Sequence, residues 1–139
     1  MQIRTTHIQV STRGNTDIID LTPQLHEKLR ETGLQEGQVT VFAPGATAGI
    51  STIEYEPGLL QDIPEMFERL APSNCSYHHD MTWHDGNGHS HCRATLMGPS
   101  MTIPFEKGTL ILGTWQQVIL IDFDVRARQR SIVAQFLGE

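Results

Sequence analysis

The stretch CRATLMGPSMTIPFEKGTLILGTWQQVILIDFDVRARQRSIVAQFL, residues 92–137, decides the fold class. It carries almost no helical periodicity. Cys92–Met97, Met101–Ile103, Thr109–Gly113, Gln116–Phe123 and Ser131–Leu137 read as strands, separated by glycine, proline or charged turns. Upstream, residues 2–10 alternate apolar and polar side chains and include several β-branched ones, as a strand does. Arg13-Gly14-Asn15 reads as a turn and Thr16–Leu21 as a second strand. Thr22-Pro23 has the form of an N-cap followed by proline at the first helical position. Leu21, Leu25 and Leu29 recur every fourth residue, and Gly33 closes that helix.

The same arrangement recurs without sequence repetition: Gln38–Phe42 as a strand, Pro44-Gly45 as a turn and Ala48–Tyr55 as a strand. Pro57-Gly58 opens a helix to about Leu70, with Leu59, Ile63, Met66, Phe67 and Leu70 on one face. Pro64 lies inside it and either starts the main helical segment or kinks it. Two strand pairs, each followed by a helix, and then a run of strands predict an α+β fold. The expected core is a largely antiparallel, sandwich-like sheet system with two helices on one side, one domain over residues 1–139.

Ten Lys plus Arg against 16 Asp plus Glu give a formal charge of −6. That balance argues against a nucleic-acid or anionic-membrane partner, which would want a basic face. No apolar run approaches the roughly 20 residues of a membrane span. Met1-Gln2-Ile3-Arg4 lacks the apolar core of a signal peptide, so a cytoplasmic location is expected. Cys75 and Cys92 form no CxxC and are expected as free thiols, small and partly buried. Walker, dinucleotide, HExxH and GxSxG motifs are absent, which argues against nucleotide hydrolysis and serine-hydrolase chemistry.

Five of the seven histidines, His78, His79, His84, His89 and His91, fall within HHDMTWHDGNGHSH, residues 78–91. Imidazole is the commonest metal-binding side chain, and Asp80 and Asp85 stand ready as ligands or as partners of the ligands. On a strand running into Cys92, His89 and His91 point to one face and can converge on one ion. His79 is the third choice, brought round by the Asp85-Gly86-Asn87-Gly88 turn. Three nitrogen ligands with an open position describe a catalytic metal site. His78 and His84 suit either proton shuttling or a solvent-facing position. His7 and His26 read as structural.

Arg126-x-Arg128-x-Arg130 puts three guanidiniums on one face of a strand, either as a phosphate grip or as the charged guard of an edge strand. Trp115 in Gly113-Thr114-Trp115-Gln116 suits the core or a subunit contact. The small residues Ala46-Thr47-Ala48-Gly49-Ile50 would let a ligand or another backbone approach closely. Glu54 behind them suits a general base, a hydrogen-bond acceptor or an exposed charge. The catalytic candidates are therefore Glu54, His84 and Asp85. The metal candidates are His79, His89 and His91, and the phosphate candidates are Arg126, Arg128 and Arg130.

Asp85-Gly86-Asn87-Gly88-His89-Ser90-His91, then Leu96-Met97-Gly98-Pro99-Ser100, then Gly113-Thr114-Trp115-Gln116 and the ending around Arg130 together resemble the YjbQ-like family, later named secondary thiamine-phosphate synthase. The resemblance spans essentially the whole chain. It implies two antiparallel sheets with two helices, assembled as a homotrimer with its histidine pocket near a subunit boundary. It also implies a divalent metal, zinc first among the choices, with His79 and His91 matching the family's most regular histidines and His89 a common one. The implied reaction couples a hydroxymethylpyrimidine diphosphate to a thiazole phosphate with loss of diphosphate. The competing expectations are a non-catalytic trimer that binds a metal or a phosphorylated metabolite, and a metal-dependent phosphoester hydrolase. The chain departs from the family pattern at Pro44-Gly45-Ala46-Thr47, where relatives carry a histidine before the small-residue segment.

Overall fold

A computed structural model describes residues 1–139. Eight strands and four helices follow one another along the chain: β1 (Gln2–Thr12), β2 (Asp17–Asp20), α1 (Thr22–Thr32), β3 (Glu36–Phe42), β4 (Ala48–Ile53), α2 (Pro57–Leu70), α3 (His78–Trp83), α4 (Gly88–Met97), β5 (Ser100–Glu106), β6 (Thr109–Leu110), β7 (Gln117–Asp122) and β8 (Arg128–Gly138). A five-stranded antiparallel sheet has the order β1-β8-β3-β5-β6, and a three-stranded one the order β2-β7-β4.

The strand pattern places the layers. Ile8, Val10, Val39, Val41, Ile103, Phe105, Ile132, Ala134 and Phe136 form the inner face of the large sheet. They pack against Val118, Leu120, Ala48 and Ile50 of the small sheet, with Leu21, Leu25 and Leu29 of α1 closing the same cluster. The intervening β7 residues, Ile119 and Ile121, point the other way with Phe123. There they meet Phe67 of α2 and Ala94 of α4 in a second cluster. β7 is thus buried on both faces, which is why Val118–Ile121 is an unbroken apolar run.

The helix boundaries have local causes. Asp20 accepts the Thr22 N–H at 2.9 Å just ahead of α1, so Leu21 is the cap and Thr22 is the first helical residue. Gly33 ends α1 in the left-handed conformation, as expected. Glu56 caps α2 by accepting from Gly58 and Leu59. The helix runs through Pro64 from Pro57 to Leu70.

Three expectations are corrected. The structure has four helices where two were expected, and Cys92–Met97, read as a strand, is the body of α4. The buried stripe of α4 is His89, Ser90, Arg93 and Ala94, with Met97 partly buried beyond them. Its spacing is helical, but mostly polar residues carry it, so hydrophobicity did not show it. The strand expected over Thr109–Gly113 shrinks to Thr109–Leu110. The two N-terminal strand pairs are not hairpins: β1 pairs with β8 and β2 with β7, while β3 pairs with β5 and β8 and β4 with β7.

The turn between β1 and β2 is under constraint. Gly14, Asn15 and Thr16 all have positive φ, which is unfavourable for a β-branched threonine. The Asn15 and Thr16 N–H groups hold this turn on the Asp124 and Asp122 carbonyls at 2.6 and 2.8 Å.

Candidate functional site

α3 and the turn after it carry the histidine-rich segment. His84 adopts the left-handed conformation that closes α3 (φ 60), and Gly86 (φ 67) turns the chain back into α4. Asp80 accepts the Gly88 N–H at 3.0 Å, so one carboxylate oxygen caps α4. This return places the His79 ring 4.3 Å from the His91 ring, centroid to centroid.

His79, Asp80 and Asp85 each offer one ligand atom, and these atoms all lie within 4.8 Å of one another. His79 Nδ1 is shielded from solvent, has no hydrogen-bond partner and lies 3.7 Å from an Asp85 oxygen. A buried imidazole nitrogen without a partner is costly unless something else satisfies it. The donor set of one imidazole and two carboxylates suits a metal ion.

His89 does not join this group. On a helix, residues two apart point to nearly opposite sides, so the shared pleat expected of His89 and His91 is replaced by divergence. His89 is buried with its ring 6.2 Å from that of Tyr77. Burial, reinforced by the Arg93 charge, lowers its pKa. His84 and His78 are exposed and line a cleft of about 380 Å³ with Tyr77, Asp80 and Met81. Glu54 lies beyond the far end of β4. The register sets Ala48 opposite Asp122 and Ile53 opposite Gln117, so Glu54 stands roughly 20 Å along the strand from the Asp122 end.

The three arginines do not form one phosphate-facing stripe. Arg130 lies inside the protein and donates from Nε (2.8 Å) and Nη2 (2.9 Å) to Asp122, whose side chain is 0% exposed. Arg128 is half-buried and pairs with Asp124 through Nε at 2.9 Å. Arg126, in the turn before β8, is exposed and has no ion pair. It lines a cavity of about 210 Å³ with Asp85, Asn87, Asp124, Val125 and Arg128. One wall of that cavity is therefore a candidate metal ligand and another is the uncommitted arginine.

The two aspartates at the end of β7 tie these parts together. Burial raises their pKa values, but hydrogen bonds outweigh it: Arg130, Thr12 and the Asp124 N–H lower Asp122, and Arg128, the Val125 N–H and Asn87 bring Asp124 to about 2. Asn87 Nδ2 reaches Asp124 at 3.3 Å, and Thr47 Oγ1 does so at 3.2 Å. Arg93 anchors α4 from behind, donating to the Ala71 carbonyl, Thr16 Oγ1 and Glu68 at 3.0, 2.9 and 2.7 Å. Sequence reasoning missed Asp122, Asp124, Asn87 and Arg93. The signal for the aspartates was two acidic residues at alternate positions ending a wholly apolar run, a few residues ahead of alternating arginines. Both cysteines are free and exposed, where partial burial was expected.

Comparison with known proteins places the chain. The family profile described as UPF0047 protein YjbQ-like matches residues 6–139. The chain belongs to the UPF0047/YjbQ-like family. A UPF0047 protein of Archaeoglobus fulgidus is 39% identical over 126 residues, 91% of this chain and 96% of that one. A UPF0047 protein of Methanothermobacter thermautotrophicus is 35% identical over 139 residues, covering 100% and 95%. Among solved structures, a protein of unknown function from Sulfolobus solfataricus superposes with a TM-score of 0.94 at 30% identity, covering 99% of both chains. A hypothetical protein of Aeropyrum pernix gives 0.91 at 32% identity, covering 98% of this chain and 99% of that one. These likenesses support the UPF0047/YjbQ architecture of two antiparallel sheets with helices. No helix is long and apolar enough to cross a membrane.

Proposed function

We propose that this chain is a divalent-metal-dependent transferase acting on a small phosphorylated metabolite, with thiamine-phosphate synthesis as the specific reaction and a homotrimer as the working form. The observation that carries this reading is the unpartnered, shielded His79 Nδ1 beside Asp80 and Asp85. His79, Asp80 and Asp85 would hold the ion, with His91 as a further donor. His89, turned away on α4, would not. Zinc is the first choice among divalent metals, because nitrogen and oxygen donors suit it. When bound, the ion would supply positive charge to a departing diphosphate, which leaves poorly unless neutralised.

The chain's own residues divide the remaining work. Arg126 shares the 210 Å³ cavity with Asp85 and is free to grip a phosphate oxygen in bidentate fashion. Arg128 and Arg130 hold Asp124 and Asp122 instead, and through Asp124 Arg128 steadies Asn87 and the turn that carries Asp85. Proton transfer falls to exposed His84, next in sequence to Asp85; Glu54 is too far along β4 to serve this cavity.

The test has two stages. Protein stripped with a chelator and reloaded with zinc or manganese is expected to retain about one ion per chain, and H79A/D85A none, while circular dichroism stays native. A wild-type protein that retains no metal overturns the reading at its root. Loaded protein is then given hydroxymethylpyrimidine diphosphate and thiazole phosphate, and diphosphate release is measured. Retained metal without release refutes the transferase and leaves a binding protein. Release of inorganic phosphate from phosphate esters instead favours a hydrolase.

A further inference from the structure

The cavity of about 210 Å³ beyond the end of β7 has one wall that the proposed reaction leaves without a task. It is lined by Asp85, Asn87, Asp124, Val125, Arg126 and Arg128. Arg128 and Asp124 are paired and neutralise each other. Arg126 has no ion pair, and Asp85 faces only the His79 ring, 3.7 Å away. Asn87 stands among them and is 6% exposed. Its Oδ1 is shielded from solvent and has no hydrogen-bond partner. A buried amide oxygen without a donor is costly, and such groups are few in folded proteins.

The amide cannot turn over to escape this. Its Nδ2 donates to Asp124 Oδ1 at 3.3 Å. Burial raises the Asp124 pKa, but hydrogen bonds from Arg128, the Val125 N–H and Asn87 bring it to about 2, so this carboxylate accepts and does not donate. Reversed, the amide would set its oxygen against that carboxylate. Ser90 Oγ, three residues further along α4, does not supply the missing donor, for it too is buried and without a partner. Asn87 is thus fixed as an acceptor in the wall of a cavity.

The charges left over say what would satisfy it. Arg126 offers N–H groups to an anion. Asn87 Oδ1 and the Asp85 carboxylate only accept. A protonated amine brings donors alone, whereas a hydroxyl also brings lone pairs that these oxygens repel. We propose that Asn87 is the specificity-determining residue of this cavity, its Oδ1 accepting a hydrogen bond from a donor nitrogen of a ligand whose phosphate rests on Arg126. The inference rests on the reading of Arg126 as a phosphate grip and adds the second point of recognition.

The test uses the full chain, stripped of metal with a chelator, and three phosphate monoesters. Phosphoethanolamine carries the amine, phosphocholine carries the same positive charge without an N–H, and ethyl phosphate carries neither. Each is titrated at matched ionic strength while the Arg126 backbone amide and the Asn87 side-chain amide are followed by NMR. Phosphoethanolamine is expected to shift both saturably and to bind roughly tenfold or more tighter than either analogue. N87L is expected to bring it down to the level of ethyl phosphate, and R126M to weaken all three. Thermal midpoints verify that each variant is folded, and if N87L does not fold, the wild-type comparison and the Asn87 amide shift still decide. Phosphocholine binding as tightly as phosphoethanolamine reduces the preference to charge and overturns the proposal, as does a preference that persists in folded N87L. Binding at Arg126 without any preference refutes the role of Asn87 and leaves the phosphate grip standing. If none of the three moves Arg126, the grip itself fails and this inference falls with it.

Discussion

The buried pair Asp122–Arg130 offers the sharpest test of how the β7 end is held. Asp122 is 0% exposed and Arg130 10%, and the carboxylate receives Arg130 Nε at 2.8 Å, Nη2 at 2.9 Å, Thr12 Oγ1 at 2.6 Å and the Asp124 N–H at 3.0 Å. Asp122→Asn keeps the shape and removes the charge. It leaves a guanidinium inside the protein without a counter-ion, which costs roughly 3–5 kcal/mol. That is a large share of the 5–15 kcal/mol typical of a whole domain. At roughly 4 °C per kcal/mol for a chain of this length, the thermal midpoint should fall by about 12–20 °C. Arg130→Met should cost a comparable amount, because it strands the carboxylate. The double variant D122L/R130M removes both charges but leaves Thr12, Thr47 and the Asp124 N–H short of partners. It should therefore cost less than the two single changes together, by roughly 2 kcal/mol or more. Urea unfolding of the wild type, D122L, R130M and D122L/R130M, followed by circular dichroism, closes the cycle, with D122N measured alongside. A D122N loss below about 1 kcal/mol, or strict additivity, would refute the reasoning.

Other expectations follow from single contacts. Arg93→Met removes three hydrogen bonds from a side chain that is 5% exposed and should cost roughly 2–4 kcal/mol in urea unfolding, loosening α4 against α2. Gly14→Ala would set a Cβ 2.4 Å from the Arg126 carbonyl oxygen at φ +75, and should cost at least roughly 2 kcal/mol, read as a fall in urea midpoint. Asp124 has its pKa held at about 2 in the folded state, so its contribution is present above the unfolded value and is lost as pH falls through the folded one. Unfolding free energy should therefore drop by roughly 2 kcal/mol between about pH 5 and pH 1 on this account, and D124N should flatten that part of the curve.

Much of the fold was legible because hydrophobic residues carried it. Leu21, Leu25 and Leu29 marked α1, and the Pro57–Leu70 helix was found at both ends. The long strands β1, β3, β4, β7 and β8 were each found to within a few residues. Pairing was not legible, since alternation fixes which face a strand buries and not which neighbour it takes. α4 was misread because its inward stripe contains His89, Ser90 and Arg93, whose burial depends on partners far away in sequence such as Glu68 and Thr16. The same error misplaced His89, because helix and strand send residues i and i+2 in different directions. His79 and Asp85, singled out from the local density of the segment, lie within reach of each other because one short turn joins them. Asp122 and Asp124 escaped notice because only the tertiary structure shows that they neutralise the arginines first singled out for phosphate.

The order in which the strands pair has a consequence for biosynthesis. Every strand before β5 takes its partners from β7, β8 or, for β3, also β5. Neither sheet can close until the last two strands leave the ribosome. Until then β1 to β4 have open edges and their apolar faces wait uncovered, a state prone to aggregation. Such distant pairings also slow folding, because long loops must close before any contact repays them. A nascent chain interrupted ahead of Gln117 could pair only β3, β5 and β6, while β1 and the whole small sheet would still lack their native partners.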